Sequence, residues 1–244
     1  MSTAPTPGAA ATGLPTLYRA VEAVTAERHR ALRLRPALRL AAATRTGALP
    51  VAMEEMALLG RHLPLVFADA APHVPVVLLR LADGDAPRGL APDGTWQAGS
   101  YVPVHLRRYP FLLVPSGTAP DQLVLCLDPQ AECLSSEEGE PLFDAEGKPT
   151  LLLQQAFTTA RDAEAAFRRT AEFSATLGRL GLLTPSTAKV PRPGGPLQVT
   201  GFRAVDRAAL GRLDGAALAA LRDAGQLEAI YAHLGSIQGF AEMP

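Results

Sequence analysis

The side chains that could do chemistry gather in one stretch. Trp96 to Phe111 reads Trp-Gln-Ala-Gly-Ser-Tyr-Val-Pro-Val-His-Leu-Arg-Arg-Tyr-Pro-Phe and holds the only tryptophan, two of the four tyrosines and one of the five histidines. Arg107 and Arg108, beside Tyr109, could hold an anion, because a guanidinium fork matches a carboxylate or phosphate with two parallel hydrogen bonds. Trp96, Tyr101 and His105 could line the same pocket. The competing reading buries Trp96, Tyr109 and Phe111 in a core, with one arginine paired to Glu54, Glu55 or Asp128. If Val104 to Arg108 is helical, the two arginines point about 100° apart, so one can face inward and the other outward.

The other reactive residue types lack the partners that their chemistry needs. An iron oxygenase of the cupin type needs a His-x-Asp/Glu pair and a distant histidine on one octahedral face. Here His29, His62, His73, His105 and His233 are followed two places on by Ala31, Pro64, Pro75, Arg107 and Gly235. Scattered ligands such as His105, His233 and Asp128 could still assemble a site, but each histidine reads better as a partly buried, hydrogen-bonded residue. Gly-x-Ser-x-Gly is absent, and Gly235-Ser236 falls in a helix rather than at a strand-to-helix elbow. Cys126 lies among leucines, where an apolar setting raises a thiol pKa and makes it inert. Cys126 and Cys133 form no CxxC motif and are expected reduced and buried. No glycine-rich phosphate loop occurs. The residues point to no catalytic group, no metal and no cofactor.

Several elements must position this stretch. The spacing of Leu17, Ala20, Val21 and Val24 predicts a helix over 14–31, after a disordered tail over 1–13. Alternation over 30–40 predicts a strand interrupted at Pro36. Residues 49–59 read as a strand-like entry and a short helix. The apolar runs 62–68 and 74–81 read as a hairpin in the core sheet, and consecutive apolar residues Val76 to Leu79 suggest that both faces are covered. Asp83-Gly84 and Asp93-Gly94 are turn signals. Short strands are expected at 111–114 and 122–127, around a turn over 115–121. The acidic segment 132–148 reads as a solvated loop.

The clearest helix covers 156–183, with Ala156, Ala160, Ala163, Ala166, Phe167, Thr170, Phe173 and Leu177 on one stripe. Residues 186–196 read as a Pro/Gly linker and 197–202 as a strand. Two short helices follow, with Asp206 and Asp214 as caps. The last helix, 226–240, turns Leu227, Ile230, Tyr231, Leu234 and Ile237 inward.

Composition narrows the partners. The 244 residues are 48% hydrophobic and 19% charged, with a net charge of −1, which suits a globular protein and no nucleic acid or acidic membrane surface. Lys148 and Lys189 are the only lysines, so nearly all positive charge is arginine. No segment approaches the roughly 20 apolar residues of a membrane span, and the N-terminus lacks the basic and apolar regions of a signal peptide. The expectation is a cytoplasmic chain that could reach a surface only by a non-classical route.

Several motifs together resemble the SapC family of bacterial proteins: Tyr101-Val-Pro103, Arg107-Arg-Tyr-Pro-Phe111, Leu125-Cys-Leu-Asp128 and Pro141-Leu-Phe-Asp144 with Gly147. In the tail, Gly201-Phe, Val205-Asp206 and Ile230-Tyr-Ala-His-Leu234 fit as well, so the resemblance spans roughly 28–240. The family is named for a component associated with a paracrystalline surface layer. The resemblance implies a binding or accessory role towards a peptide, polypeptide or surface-layer component.

The expected fold is α+β. A mostly antiparallel sheet is covered by helices over 14–155, and a helical C-terminal part over 156–244 packs on it in one compact domain. The expected function is non-catalytic binding of a peptide or protein partner through Trp96, Tyr101, His105, Arg107, Arg108, Tyr109 and His233. The alternative is a peptide-modifying enzyme, metal-dependent or not, centred on the same stretch.

Overall fold

The computed structural model describes residues 13–91, 95–116 and 122–243. All but the last residue of the tail expected over 1–13, the Asp93-Gly94 turn and most of the 115–121 turn lie outside them.

The N-terminal segment is not the single helix that the spacing predicts, and it turns at Leu17, which is left-handed (φ 82°). It forms β1 (Glu22–Ala23), one helical turn α1 (Ala26–His29), β2 (Arg33–Leu34) and α2 (Pro36–Ala41). Long-range bonds override the local periodicity. The Tyr18 hydroxyl donates to the Phe111 carbonyl at 2.7 Å, and the Val24 amide donates to the Leu125 carbonyl at 2.9 Å. Pro36 does not interrupt a strand but opens a helix, where its missing N–H costs nothing.

β3 (Ala48–Pro50) and α3 (Met56–Leu59) follow, then β4 (Leu65–Ala68) and β5 (Pro75–Leu78), which pair antiparallel as the apolar runs predict. Leu65 and Phe67 face the main core while Val66 faces a second cluster with Val76, Leu78, Phe202 and Phe240. Both faces of this hairpin are therefore covered. After a long loop comes α4 (Val104–Arg108), then the antiparallel pair β6 (Phe111–Pro115) and β7 (Leu123–Leu127). The acidic segment carries β8 (Leu134–Ser135) and β9 (Glu140–Pro141), which flank β2.

α5 (Leu151–Arg179) starts at Thr150, whose side chain accepts from the Leu153 amide. Its buried stripe of Leu153, Ala156, Ala160, Ala163, Thr170, Phe173 and Leu177 repeats at three and four residues. It ends where Gly181 turns left-handed (φ 64°) and the Leu182 amide returns to the Leu177 carbonyl at 2.9 Å.

The segment 186–196 is not a linker. Its first half lies in β10 (Leu183–Val190), which forms a long hairpin with β11 (Leu197–Val205). Pro185 is tolerated because β10 is an edge strand. The hairpin extends the sheet to the order β10-β11-β4-β5-β3, antiparallel throughout. α6 (Arg207–Gly211) and α7 (Gly215–Asp223) are capped by Asp206 and Asp214. α8 (Gln226–Ser236) closes the fold with a short 3-10 extension. It buries Ile230 and Leu234, but Tyr231 is 57% exposed and lies off the apolar face.

The architecture is α+β, with antiparallel sheets and a helical C-terminal part. Among the described residues, no helix is long and apolar enough to cross a membrane.

Candidate functional site

The seven residues expected to bind a ligand fall in three places. Trp96 and Tyr101 line a cavity of about 200 Å³. Three elements build it. The end of α3 and the turn after it supply Leu58, Leu59, His62 and Leu63. A small hairpin, closed by the Leu90–Trp96 bridge, supplies Arg88, Gly89, Trp96 and Gln97, and Ser100 and Tyr101 complete the wall. The hairpin is pinned just beyond the end of β5 by the Arg88 amide, which donates to the Leu79 carbonyl at 2.7 Å. Trp96 packs so closely on Gly89 that a Cβ there would lie 3.3 Å from the indole rim. Gly89 also has φ 81°, so this position needs glycine on both counts.

Arg107 backs this wall from outside the cavity. Its guanidinium donates to the Tyr101 hydroxyl at 2.8 Å and lies 3.4 Å from the Glu55 carboxylate. Of the three acidic residues considered for an arginine partner, Glu55 is the one it meets. Burial raises the Glu55 carboxyl above its ordinary pKa, against the Ala52 and Val104 amides and the Arg107 charge, which favour the anion.

His105, Arg108 and Tyr109 turn away into the core. The helical turn of α4 does separate the arginines: the Arg107 side chain is 42% exposed, whereas Arg108 is 7% exposed. Arg108 donates to His105 Nδ1 at 3.3 Å and stacks 4.9 Å over the Phe167 ring. His105 in turn donates from Nε2 to the Thr16 carbonyl at 2.7 Å. These bonds fix a neutral imidazole, and burial, then Arg108, push its pKa down to about 3. Tyr18 packs edge-on against both His105 and Tyr109, and Arg45 donates to the Tyr109 hydroxyl at 3.0 Å.

His233 makes its side-chain bonds elsewhere, between β4 and β11. β11 pairs with β4 through Phe202–Ala68 and Arg203–Phe67, a register that, carried two residues further, would set Val205 against Leu65. His233 stands between them. Its Nε2 accepts from the Val205 amide at 3.0 Å and its Nδ1 donates to the Leu65 carbonyl at 2.9 Å. The ring thus completes a ladder where the strands splay, and burial lowers its pKa to about 4.

The remaining reactive groups are similarly occupied or insulated. Cys126 and Cys133 are free and buried, and burial raises both thiols, Cys133 to about 11. Among the described residues, no three His, Cys, Asp or Glu side chains come together as a metal site.

The SapC family model matches residues 24–243, nearly the whole chain. The chain belongs to the SapC family. No curated protein and no solved structure matches it. In this SapC-family fold the Arg107-Arg-Tyr-Pro-Phe111 motif joins the cavity wall to the core, with a cis peptide at Tyr109-Pro110. Sequence reasoning missed His62, Arg88, Gln97 and Ser100 in the cavity wall. The signal available was that Arg88-Gly89 and Trp96-Gln97 flank one turn.

Proposed function

We propose that this SapC-family chain is a non-catalytic binding protein that takes a peptide segment of a partner, such as a surface-layer component, in the cavity beside Trp96. One observation carries the reading. The cavity sets the Trp96 and Tyr101 rings and three leucines, Leu58, Leu59 and Leu63, beside the polar side chains of His62, Arg88, Gln97 and Ser100. A wall that mixes apolar surface with a few polar groups favours a ligand that offers both. A peptide brings carbonyls at regular spacing. His105 and His233 weigh the same way, since each commits both ring nitrogens to the protein itself.

Trp96 is the only tryptophan, so its fluorescence reports on the cavity alone. Titration with a pool of short peptides should give a saturable change in emission, and Ser100→Phe, which fills the cavity, should abolish it. A folded wild-type protein whose emission no peptide changes would defeat this reading.

A further inference from the structure

One sheet edge is left open beside a groove. β1 covers only the end of β7, through Glu22–Leu127 and Ala23–Cys126, and the Val24 amide adds one bond to the Leu125 carbonyl at 2.9 Å. The chain then leaves into α1. Even-numbered residues of β7 turn their main-chain groups to β6, as the Gln122 carbonyl and the Asp128 amide do beyond its two ends, so Leu123 and Leu125 turn theirs to the opposite edge. Among the described residues, the Leu123 N–H and C=O and the Leu125 N–H have no main-chain partner there. Both residues are half-buried. Natural proteins guard such edges with proline, charge or a bulge. The two edges of the five-stranded sheet carry Pro50 in β3 and Pro185 in β10, and β10 adds Lys189 and a register shift between Ser186 and Ala188. Leu123, Val124 and Leu125 bring no proline, no charge and no register shift against β6.

The open edge borders a groove of about 420 Å³, lined by Val24, Val124, Leu125, Phe143 and Phe157 among others. Phe157 is 41% exposed. Among the described residues the lining has no charged side chain. Its two polar amide and hydroxyl side chains donate to the protein's own carbonyls, Gln154 to Pro149 at 3.0 Å and Thr158 to Gln154 at 3.1 Å. An occupant that matches this site is uncharged and apolar towards the groove, and it offers main-chain donors and acceptors to the edge. An extended peptide does both, whereas a lipid chain leaves the edge unpaired. Three residues span about 10 Å, so two copies paired by this edge alone would bury far less than the roughly 1,200 Å² of a stable dimer. The chain's own first 12 residues, with Pro5, Pro7 and no large apolar side chain after Met1, do not supply such a strand.

We propose that β7 is a strand acceptor. An extended, uncharged segment of a partner protein, with apolar side chains at alternate positions, adds beside residues 123–125 and sets those side chains in the groove. This site shares no lining residue with the Trp96 cavity.

The probe is acetyl-Val-Thr-Val-Thr-Val-amide, followed by calorimetry and by hydrogen exchange on the full chain. Bound peptide should slow exchange at the Leu123 and Leu125 amides and leave Val124 and Cys126, which face β6, unchanged. Strand pairing uses every second residue of the peptide. Of two analogues, one N-methylated at its central valine and the other at both threonines, one should therefore bind about tenfold more weakly and the other unchanged. Phe157→Ser, at an exposed position, should weaken the probe about tenfold. Leu123→Pro, which removes an N–H that β6 does not use, should abolish binding. Equal effects of the two analogues, binding that neither variant changes, or no binding at all would overturn strand addition. Leu123 and Leu125 amides already slow in the free protein would overturn a partner segment: the edge is then covered by the chain itself, or by a second copy if the protein sediments as a dimer. None of these results decides the Trp96 cavity, which its own emission tests separately.

Discussion

Glu55 shows which contact dominates when several compete for one side chain. It is 4% exposed, and it accepts from the Val104 amide at 2.6 Å, from the Ala52 amide at 3.1 Å and from Arg107 at 3.4 Å. The two amides are buried and have no water to fall back on, whereas the Arg107 end of the ion pair is open to solvent and screened. The backbone bonds, not the ion pair, should therefore carry the stability. Glu55→Ala leaves both amides unpaired and should cost about 3 kcal/mol, while Arg107→Ala should cost about 1 kcal/mol or less. Urea unfolding of the two variants checks the order, and an Arg107 variant that is the weaker of the two would reverse the argument. Trp96 emission adds a second readout. Losing Arg107 removes one partner of the Tyr101 hydroxyl at the cavity wall, so ligand affinity should move even where stability does not.

Among the elements, the N-terminal strap depends most on distant partners. Asp128 is fully buried and accepts from the Arg19 amide at 2.8 Å and the Ala20 amide at 3.3 Å. It also caps its own turn through the Gln130 amide at 3.0 Å. Asp128→Ala should cost about 3 kcal/mol and should open the strap selectively, because three donors lose a charged acceptor together. Hydrogen exchange at Arg19, Ala20 and Val24 should then accelerate well before that of α5, whereas uniform acceleration would mean that the strap is not a separate unit. The same strap explains what the sequence could and could not show. α5, the β4–β5 hairpin, α4 and the caps of α6 and α7 were legible because local spacing and local side-chain bonds decide them. The strap and β10 were not, because Leu17 to Val24 match a helical period while bonds of Tyr18, Asp128 and Leu125 hold the segment out of a helix. At the site, Trp96 and Tyr101 stood out by residue type. Arg88 and His62 did not, since only tertiary packing brings α3 against the hairpin.

At the scale of the whole molecule, two buried neutral histidines make stability depend on acid. His105 has a folded pKa of about 3 and His233 of about 4, against an ordinary value of 6.5. Above pH 6.5 both are neutral folded or unfolded, so neither contributes a pH dependence. Below it the unfolded chain takes up protons that the folded chain refuses, and stability falls until the folded pKa values are reached. Two groups titrating together remove roughly 2 kcal/mol per pH unit near pH 5.5, a large part of the roughly 5–15 kcal/mol that a domain has. Glu55 opposes this loss, since its raised pKa lets the folded state gain a proton as the pH falls towards 4.5. Glu22 and Asp85, held below their ordinary values by His29 and Arg192, add further loss only at the acid end. The unfolding midpoint in urea should therefore be level from pH 8 to pH 7 and drop steeply between pH 6.5 and pH 4.5. His233→Gln should be less stable at pH 7, because the Leu65–Val205 bridge is weakened, yet its slope should be shallower by one proton. A wild-type midpoint that stays level to pH 4.5 would mean that the two rings are charged in the folded protein. The interior bonds to Thr16, Leu65, Val205 and Arg108 leave no acceptor for that second proton.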